Sequence, residues 1–328
     1  MYVLGVETSC DETSAAVVKD GREVLSNEVS SSLKFHQKHG GVIPEIAFRM
    51  QLETIVLVVD TALKDARLKR KDIGLISVTN GPGLLGSLLV GISFAKAASF
   101  SLDIPLLGVN HIYSHIYANF LNTPGLRLPF VALVVSGGHT SLFRVDDFDK
   151  IKLLGASCDD ACGEAFDKVA KILDLGYPGG PLIEKIAKQG DSRKTKFRCS
   201  NTNNPLDFSF SGIKTAVLYE TRDRRPETVD QKADIAASFQ EAALDALIRK
   251  SFLACQQQKI KQLAIGGGVI ANARLRGKFK SQAKENKVWC YFPEKEFSTD
   301  NAAMVAGLGY RLYKKGYRSN LNLEVELN

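Results

Sequence analysis

The stretch Tyr2-Val-Leu-Gly-Val-Glu7, then Thr8-Ser-Cys-Asp-Glu12, then Thr13-Ser-Ala-Ala-Val-Val-Lys19 reads as a strand, a polar turn and a second strand. Phe130-Val-Ala-Leu-Val-Val135, then Ser136-Gly-Gly-His139, then Thr140-Ser-Leu-Phe-Arg-Val145 repeats the scheme about 130 residues later. Each is a hairpin whose bend is rich in Ser, Thr and Gly, and each opens a lobe of similar size. Backbone N–H groups and hydroxyls gathered in such a bend can cradle phosphate oxygens. One such hairpin would pass as ordinary surface; two in one chain argue against coincidence.

A third glycine-rich bend, Gly266-Gly-Gly-Val-Ile-Ala-Asn272, follows the short strand at Leu263–Ile265 and leads into a helix running to about Lys284. Strand, glycine turn and helix N-terminus together suit a nucleotide. The dinucleotide fingerprint G-x-G-x-x-G is not met. Gly81-Pro-Gly-Leu-Leu-Gly86-Ser87 lacks the lysine of a P-loop and reads instead as a turn entering a buried helix, Ser87 to Ser99. Pro44 sits in the first turn of an amphipathic helix reaching about Ala66. A linker is expected over residues 122–129, and residues 198–207 read as a loop. Strands alternating with helices give an α/β fold. The expected division is an N-terminal lobe over residues 1–128, completed by a C-terminal helix within 300–328, and a second lobe over 129–299.

The 328 residues are 45% hydrophobic and 24% charged, an ordinary soluble α/β composition. The longest apolar runs, such as Thr54–Val59, are too short to span a bilayer, and no basic segment leads a long apolar stretch at the start. The expected location is the cytoplasm. Six cysteines without a CxxC pair fit free thiols in a reducing compartment. Lysine and arginine outnumber aspartate and glutamate by 43 to 36. Basic clusters at residues 67–71, 193–198, 222–225 and 314–318 make a polyanionic partner plausible, although any one of them alone reads as a solvated face.

Two of the five histidines stand four apart, in Asn110-His111-Ile-Tyr-Ser-His115. On a helix this spacing turns both imidazoles to one face, as a single metal ion needs; a chance pair of structural histidines is the competing reading. The zinc-protease motif HExxH requires a glutamate where Ile112 stands, so that route is excluded. Asp300, at the start of a final helix expected over Asn301–Tyr313, offers a third ligand or else a first-turn carboxylate. Two imidazoles and a carboxylate suit Fe(II) or Zn(II) with positions left open.

The chain resembles the tRNA adenosine threonylcarbamoyltransferase family. The resemblance rests on Leu4 to Thr13, on His36-Gln-Lys-His-Gly-Gly-Val-Ile-Pro44, on Asn110-His111-x3-His115 and on Ser136-Gly-Gly-His-Thr140. It continues through Gly163-Glu-Ala-Phe-Asp-Lys168, Tyr177-Pro-Gly-Gly-Pro181, Phe208-Ser-Phe-Ser-Gly212, Gly266 to Asn272 and Ser298-Thr-Asp-Asn301. These motifs cover nearly the whole chain, in the family's order.

The resemblance implies an actin-like ATPase fold, with two lobes each holding a mixed sheet flanked by helices and a nucleotide and metal cleft between them. It implies transfer of a threonylcarbamoyl group from its adenylate to the N6 amine of the tRNA adenosine beside the anticodon. The metal, Fe(II) or Zn(II), would fall on His111, His115 and Asp300. ATP or adenylate, with possible Mg, would contact Val134, Val135, Ser136, Gly137, Gly138, Asp167, Gly180, Glu184 and Asn272. Asp11 and Glu12 are the candidate proton acceptors. Glu184 and Tyr113 depart from the family's usual residues. The implied partners are tRNA, an inactive paralogue (TsaB-like), a small ATPase (TsaE-like) and a synthase supplying the adenylate. A small-molecule kinase on the same fold, needing Mg but no histidine pair, and a non-catalytic nucleotide-binding scaffold are the rival readings.

Overall fold

A computed structural model describes residues 1–122, 125–223 and 228–327. Thr123 and Pro124 of the expected linker, and Arg224 and Arg225 of one basic cluster, lie outside the described residues. The chain divides into two compact units, one formed by Met1–Gly125 with Pro293–Asn328, the other by Leu126–Phe292. Residues 293–299, expected in the second lobe, belong to the first unit.

The first unit is built on β1 (Tyr2–Glu7), β2 (Glu12–Lys19), β3 (Glu23–Ser31), β4 (Ile73–Gly81) and β5 (Leu106–Asn110), in the order β3-β2-β1-β4-β5. β1 runs antiparallel to β2 and parallel to β4. Its helices are α1 (Leu33–Gln37), α2 (Pro44–Asp65), α3 (Leu85–Leu102), α4 (His111–Tyr117) and the C-terminal helix, Ala302–Lys314. Val3, Leu4 and Val6 are all buried, the continuous apolar pattern of a strand covered on both faces. On one face Ile55, Val58 and Ala62 of α2 and Val90, Ile92 and Ala95 of α3 pack with Leu4, Val6 and Val17. On the other lies the C-terminal helix, so close at Gly5 that a Cβ there would collide with the Ala302 carbonyl. That approach is open only to glycine, and it fixes the residues just before the helix against β1.

α3 is longer than the expected Ser87–Ser99. By length and composition it is apolar enough to cross a membrane, with a mean hydropathy of 1.5, a property that the reading of apolar runs missed. Here it packs on β4 and α2 through Val90, Ile92 and Ala95.

In the second unit the strands are β6 (Phe130–Val135), β7 (Thr140–Asp147), β8 (Lys150–Ala156), β9 (Gln262–Gly266) and β10 (Trp289–Tyr291). Their order, β10-β9-β6-β7-β8, reverses to the first unit's pattern strand for strand. The parallel and antiparallel pairings also match. The helices are α5 (Cys162–Ile172), α6 (Gly179–Ala187), α7 (Ser211–Asp223), α8 (Val229–Gln258) and α9 (Ala273–Asn286). Leu133, Val135, Leu263 and Ile265 of the sheet pack with Phe166, Phe239, Leu247 and Phe279 of the helices. Phe166 and Phe239 meet edge to face at 5.0 Å.

Candidate functional site

The metal-ligand candidates converge within the first unit. α4 starts where β5 ends, and the Asn110 side chain caps it by accepting from the Tyr113 N–H at 3.1 Å. His111 and His115 therefore lie one turn apart on one face, their rings 4.7 Å apart and edge-on. Asn301, rather than Asp300, caps the C-terminal helix: its Oδ1 accepts from the Met304 N–H at 3.1 Å. Asp300 is left to turn inward, with Oδ1 3.1 Å from His115 Nε2 and 3.7 Å from His111 Nε2. One ligand atom from each of the three lies within 4.8 Å of the others. Bonds of about 2.1 Å in tetrahedral geometry put ligand atoms about 3.4 Å apart, so the trio fits a single cation with small adjustments.

Behind the trio stands a residue that the sequence reading did not single out. Glu7, fully buried at the end of β1, places Oε2 3.1 Å from His111 Nδ1. Its other contacts fix it there: Oε1 accepts from the Ser9 N–H at 2.6 Å and Oε2 from the Thr79 hydroxyl at 2.6 Å. An ionised carboxylate only accepts, so Nδ1 carries the proton and Nε2 faces the trio, the carboxylate–histidine support of metal sites. The one signal in the sequence was an acid ending an otherwise apolar strand.

Burial works against charge on the His111 imidazole, but the Glu7 and Asp300 carboxylates outweigh it and hold the group up at about 9. Burial also opposes ionisation of Glu7, and His111 with Thr79 more than reverses this, leaving the carboxyl below its usual range. Nearby, burial and the charges of Asp300 and Asp11 push the Glu12 carboxyl well above the carboxylate range. A place where carboxylates crowd this closely calls for a cation. The turn bearing Asp11 and Glu12 is tied to α2, because the Gln51 amide donates to the Cys10 and Glu12 carbonyls at 2.9 Å each.

The remaining candidates lie in the second unit. Val134 and Val135 are buried at the end of β6. Ser136 closes the bend by accepting on Oγ from the His139 N–H at 3.1 Å. A Cβ added at Gly137 or Gly138 would meet nothing within 4 Å. Asp167 accepts from the Gly179 N–H at 2.7 Å, capping α6 from α5, and Gly180 follows in the open first turn of that helix. Glu184, one turn on, accepts from the Ala273 N–H at 2.9 Å. The Asn272 side chain caps α9 through the Leu275 N–H and donates to Gln240 Oε1 at 2.9 Å.

Glu184, Gln240, Glu241, Ala273 and Arg274 line a cavity of about 420 Å³. Gln240 and Glu241 escaped the sequence reading, because polar residues on a long helix look like a solvent face. Glu241 holds Arg274 and Lys278, each at 2.6 Å.

The basic clusters differ in what they offer. Arg70 pairs with Asp60, and Arg193 with Asp191. Arg318 stacks on Tyr313 at 3.2 Å and donates to two carbonyls. Lys194, Lys196 and Arg198 are exposed.

Two five-stranded sheets of matching order and hairpin bends facing helix N-termini define the actin-like ATPase class. Solved structures share the fold. Component A of the Acidaminococcus fermentans (R)-2-hydroxyglutaryl-CoA dehydratase gives a TM-score of 0.55 at 14% identity, over 96% of this chain and 99% of that one. The T. kodakarensis HypF structure gives 0.63 at 16% identity, over 97% of this chain and 48% of that one.

Within the class, the chain belongs to the tRNA N6-adenosine threonylcarbamoyltransferase family (TsaD), whose profile matches residues 23–307. The Clostridium kluyveri tRNA N6-adenosine threonylcarbamoyltransferase is 50% identical over 98% of this chain and 96% of its own length. The Thermosipho africanus enzyme of the same name is 50% identical over 100% of this chain and 99% of its own length.

Proposed function

We propose that the protein transfers a threonylcarbamoyl group from threonylcarbamoyl-adenylate to the N6 amine of adenosine 37 in tRNAs reading ANN codons. The observation that carries this reading is the trio His111, His115 and Asp300, backed by Glu7, on a chain half identical to named transferases of this kind. In the reaction the amine nitrogen forms a bond to the carbamoyl carbon, the bond from that carbon to the phosphate oxygen breaks, and AMP leaves. Adenylate is already a good leaving group, so positioning and charge stabilisation are the main demands.

His111, His115 and Asp300 would hold one divalent ion, Fe(II) or Zn(II), which when bound supplies a Lewis acid for an oxygen of the substrate. Glu7 keeps His111 turned toward that ion. The N–H groups of Gly137 and Gly138 bind phosphate, that of Ser136 being taken by the His139 carbonyl at 2.8 Å, and the absence of side chains at the two glycines leaves their backbone open to close approach. Glu184, Gln240 and Asn272 position the nucleoside, with Asp167 and Gly180 setting the start of α6 beside it. Asp11 or Glu12 accepts the amine proton.

ATP with Mg can occupy the same nucleotide loops. A TsaB-like paralogue, a TsaE-like ATPase and the adenylate-forming synthase act with the protein. The cytoplasm is the setting, in keeping with six free thiols. A kinase or a passive scaffold on this fold is not favoured, since neither needs the trio.

The test is incorporation of labelled threonine into unmodified tRNA, with bicarbonate, ATP, the synthase and the partner proteins supplied. The wild type should incorporate label, and Asp300→Ala should not. Full incorporation by a metal-free Asp300→Ala protein would overturn the reading.

A further inference from the structure

The chain has one tryptophan, and it stands in solvent: Trp289 is 71% exposed. It opens β10, the outermost strand of the second sheet. A large apolar ring on an exposed sheet edge invites aggregation, and natural proteins usually avoid it unless something docks there.

The surroundings are cationic. Trp289 lies in register with Gln262, whose amide is engaged in both directions with the Arg127 backbone, at 3.1 and 3.0 Å. The Trp289 N–H donates to the Lys261 carbonyl at 2.8 Å. Lys259 and Lys287 close α8 and α9, and Lys284 lies one turn before Lys287. Arg127, Lys259, Lys261, Lys284 and Lys287 are all exposed, and among the described residues none of them pairs with a carboxylate. The first turns of α9 behave differently, for there Arg274 and Lys278 are neutralised by Glu241 and Asp245. Glu285 is the one acid in residues 273–292, and it is engaged by Gln282.

An exposed aromatic face with unpaired cations on the adjoining strand and helix ends is complementary to an unpaired nucleotide. The base stacks on the indole while the ammonium groups take the flanking phosphates. We infer that Trp289 and these five cations form an RNA-docking surface that holds an unpaired nucleotide of the substrate tRNA. The inference rests on the proposed reading that tRNA is the substrate.

Because Trp289 is the only tryptophan, its emission reports on this surface alone. Titrating the full chain with unmodified tRNA at low salt, with binding followed independently by filter retention, should quench the emission with the same midpoint as binding. Trp289→Ala should weaken binding about tenfold, Trp289→Phe should restore most of the loss, and Lys261→Ala or Lys287→Ala should each lower the salt slope by about 0.7 to 0.9. Circular dichroism of each variant checks the fold.

Saturable binding with unchanged emission and a wild-type affinity for Trp289→Ala would overturn the docking surface and leave the transferase reading intact. A second copy of the chain on this face would overturn it too, seen as a concentration-dependent dimer that Trp289→Ala abolishes while tRNA affinity stays at the wild-type value. No tRNA binding by any assay would remove both readings together.

Discussion

The two units share a strand order and differ in what fills the first bend. In each, a glycine at the start of the helix region abuts the hairpin: a Cβ at Gly83 would come within 2.5 Å of the Ser9 carbonyl, and one at Gly163 within 2.5 Å of the Ser136 carbonyl. Equivalent N–H groups then donate to those carbonyls, from Leu84 at 2.8 Å and from Gly163 at 3.2 Å. In the first unit the bend is packed with buried polar groups, Glu7, Thr8 and Ser9. In the second it is bare, ending in Gly137 and Gly138. One frame thus carries two different bends: a buried carboxylate holds an imidazole in the first, and bare backbone is exposed in the second.

The largest effect should come from taking away the cation's ligands. His111→Ala or Asp300→Ala should lower transfer by about a thousandfold or more and empty the proposed metal site, while ADP affinity, which the proposed function gives to the second unit, stays within about twofold. Metal analysis beside calorimetry with ADP checks this, and a parallel loss of ADP binding would break the division of labour.

Removing the support should cost less. Glu7→Gln keeps the shape and should reduce metal affinity by about 10- to 100-fold. Measured by competition with a chelator, an unchanged affinity would reduce Glu7 to a structural acid.

The second bend can be probed with paired alanines. Gly163→Ala forces a Cβ against the Ser136 carbonyl and Gly137 Cα and should destabilise the protein by about 1–3 kcal/mol. Gly137→Ala touches nothing and should change stability by no more than about 0.5 kcal/mol, yet weaken nucleotide binding. Urea unfolding separates the two, and equal destabilisation would show the second bend to be as filled as the first.

The smallest effect is a pH dependence confined to the first unit. With His111 at about 9, above the ordinary 6.5, the ion pair with Glu7 stabilises the metal-free protein fully below pH 6.5. That contribution is lost as the pH rises through about 9. Thermal melts of chelator-treated wild type should therefore fall more steeply between pH 7 and 9.5 than those of Glu7→Gln. Parallel curves would remove the charged pair.

Much of this was legible in the sequence. Short apolar runs and Ser/Gly bends marked both hairpins, and the four-residue spacing of His111 and His115 marked one helical face. What escaped depends on contacts distant in the chain. Glu7 is held in the core because the Thr79 hydroxyl on a neighbouring strand donates to it, and nothing local to Glu7 announces that partner. Gln240 becomes part of a site only because Asn272 reaches it from another helix. Asp300 could equally have been a cap until Asn301 took that place, a choice between adjacent residues that helix propensity does not settle.

The return of the chain to the first sheet has a consequence for biosynthesis. His115 and Asp300 are 185 residues apart, and the entire second unit is translated between them. A ribosome-bound chain therefore forms the Ser136–His139 bend well before it owns all three of His111, His115 and Asp300. A nascent product released early would carry the imidazoles without the carboxylate that completes the trio.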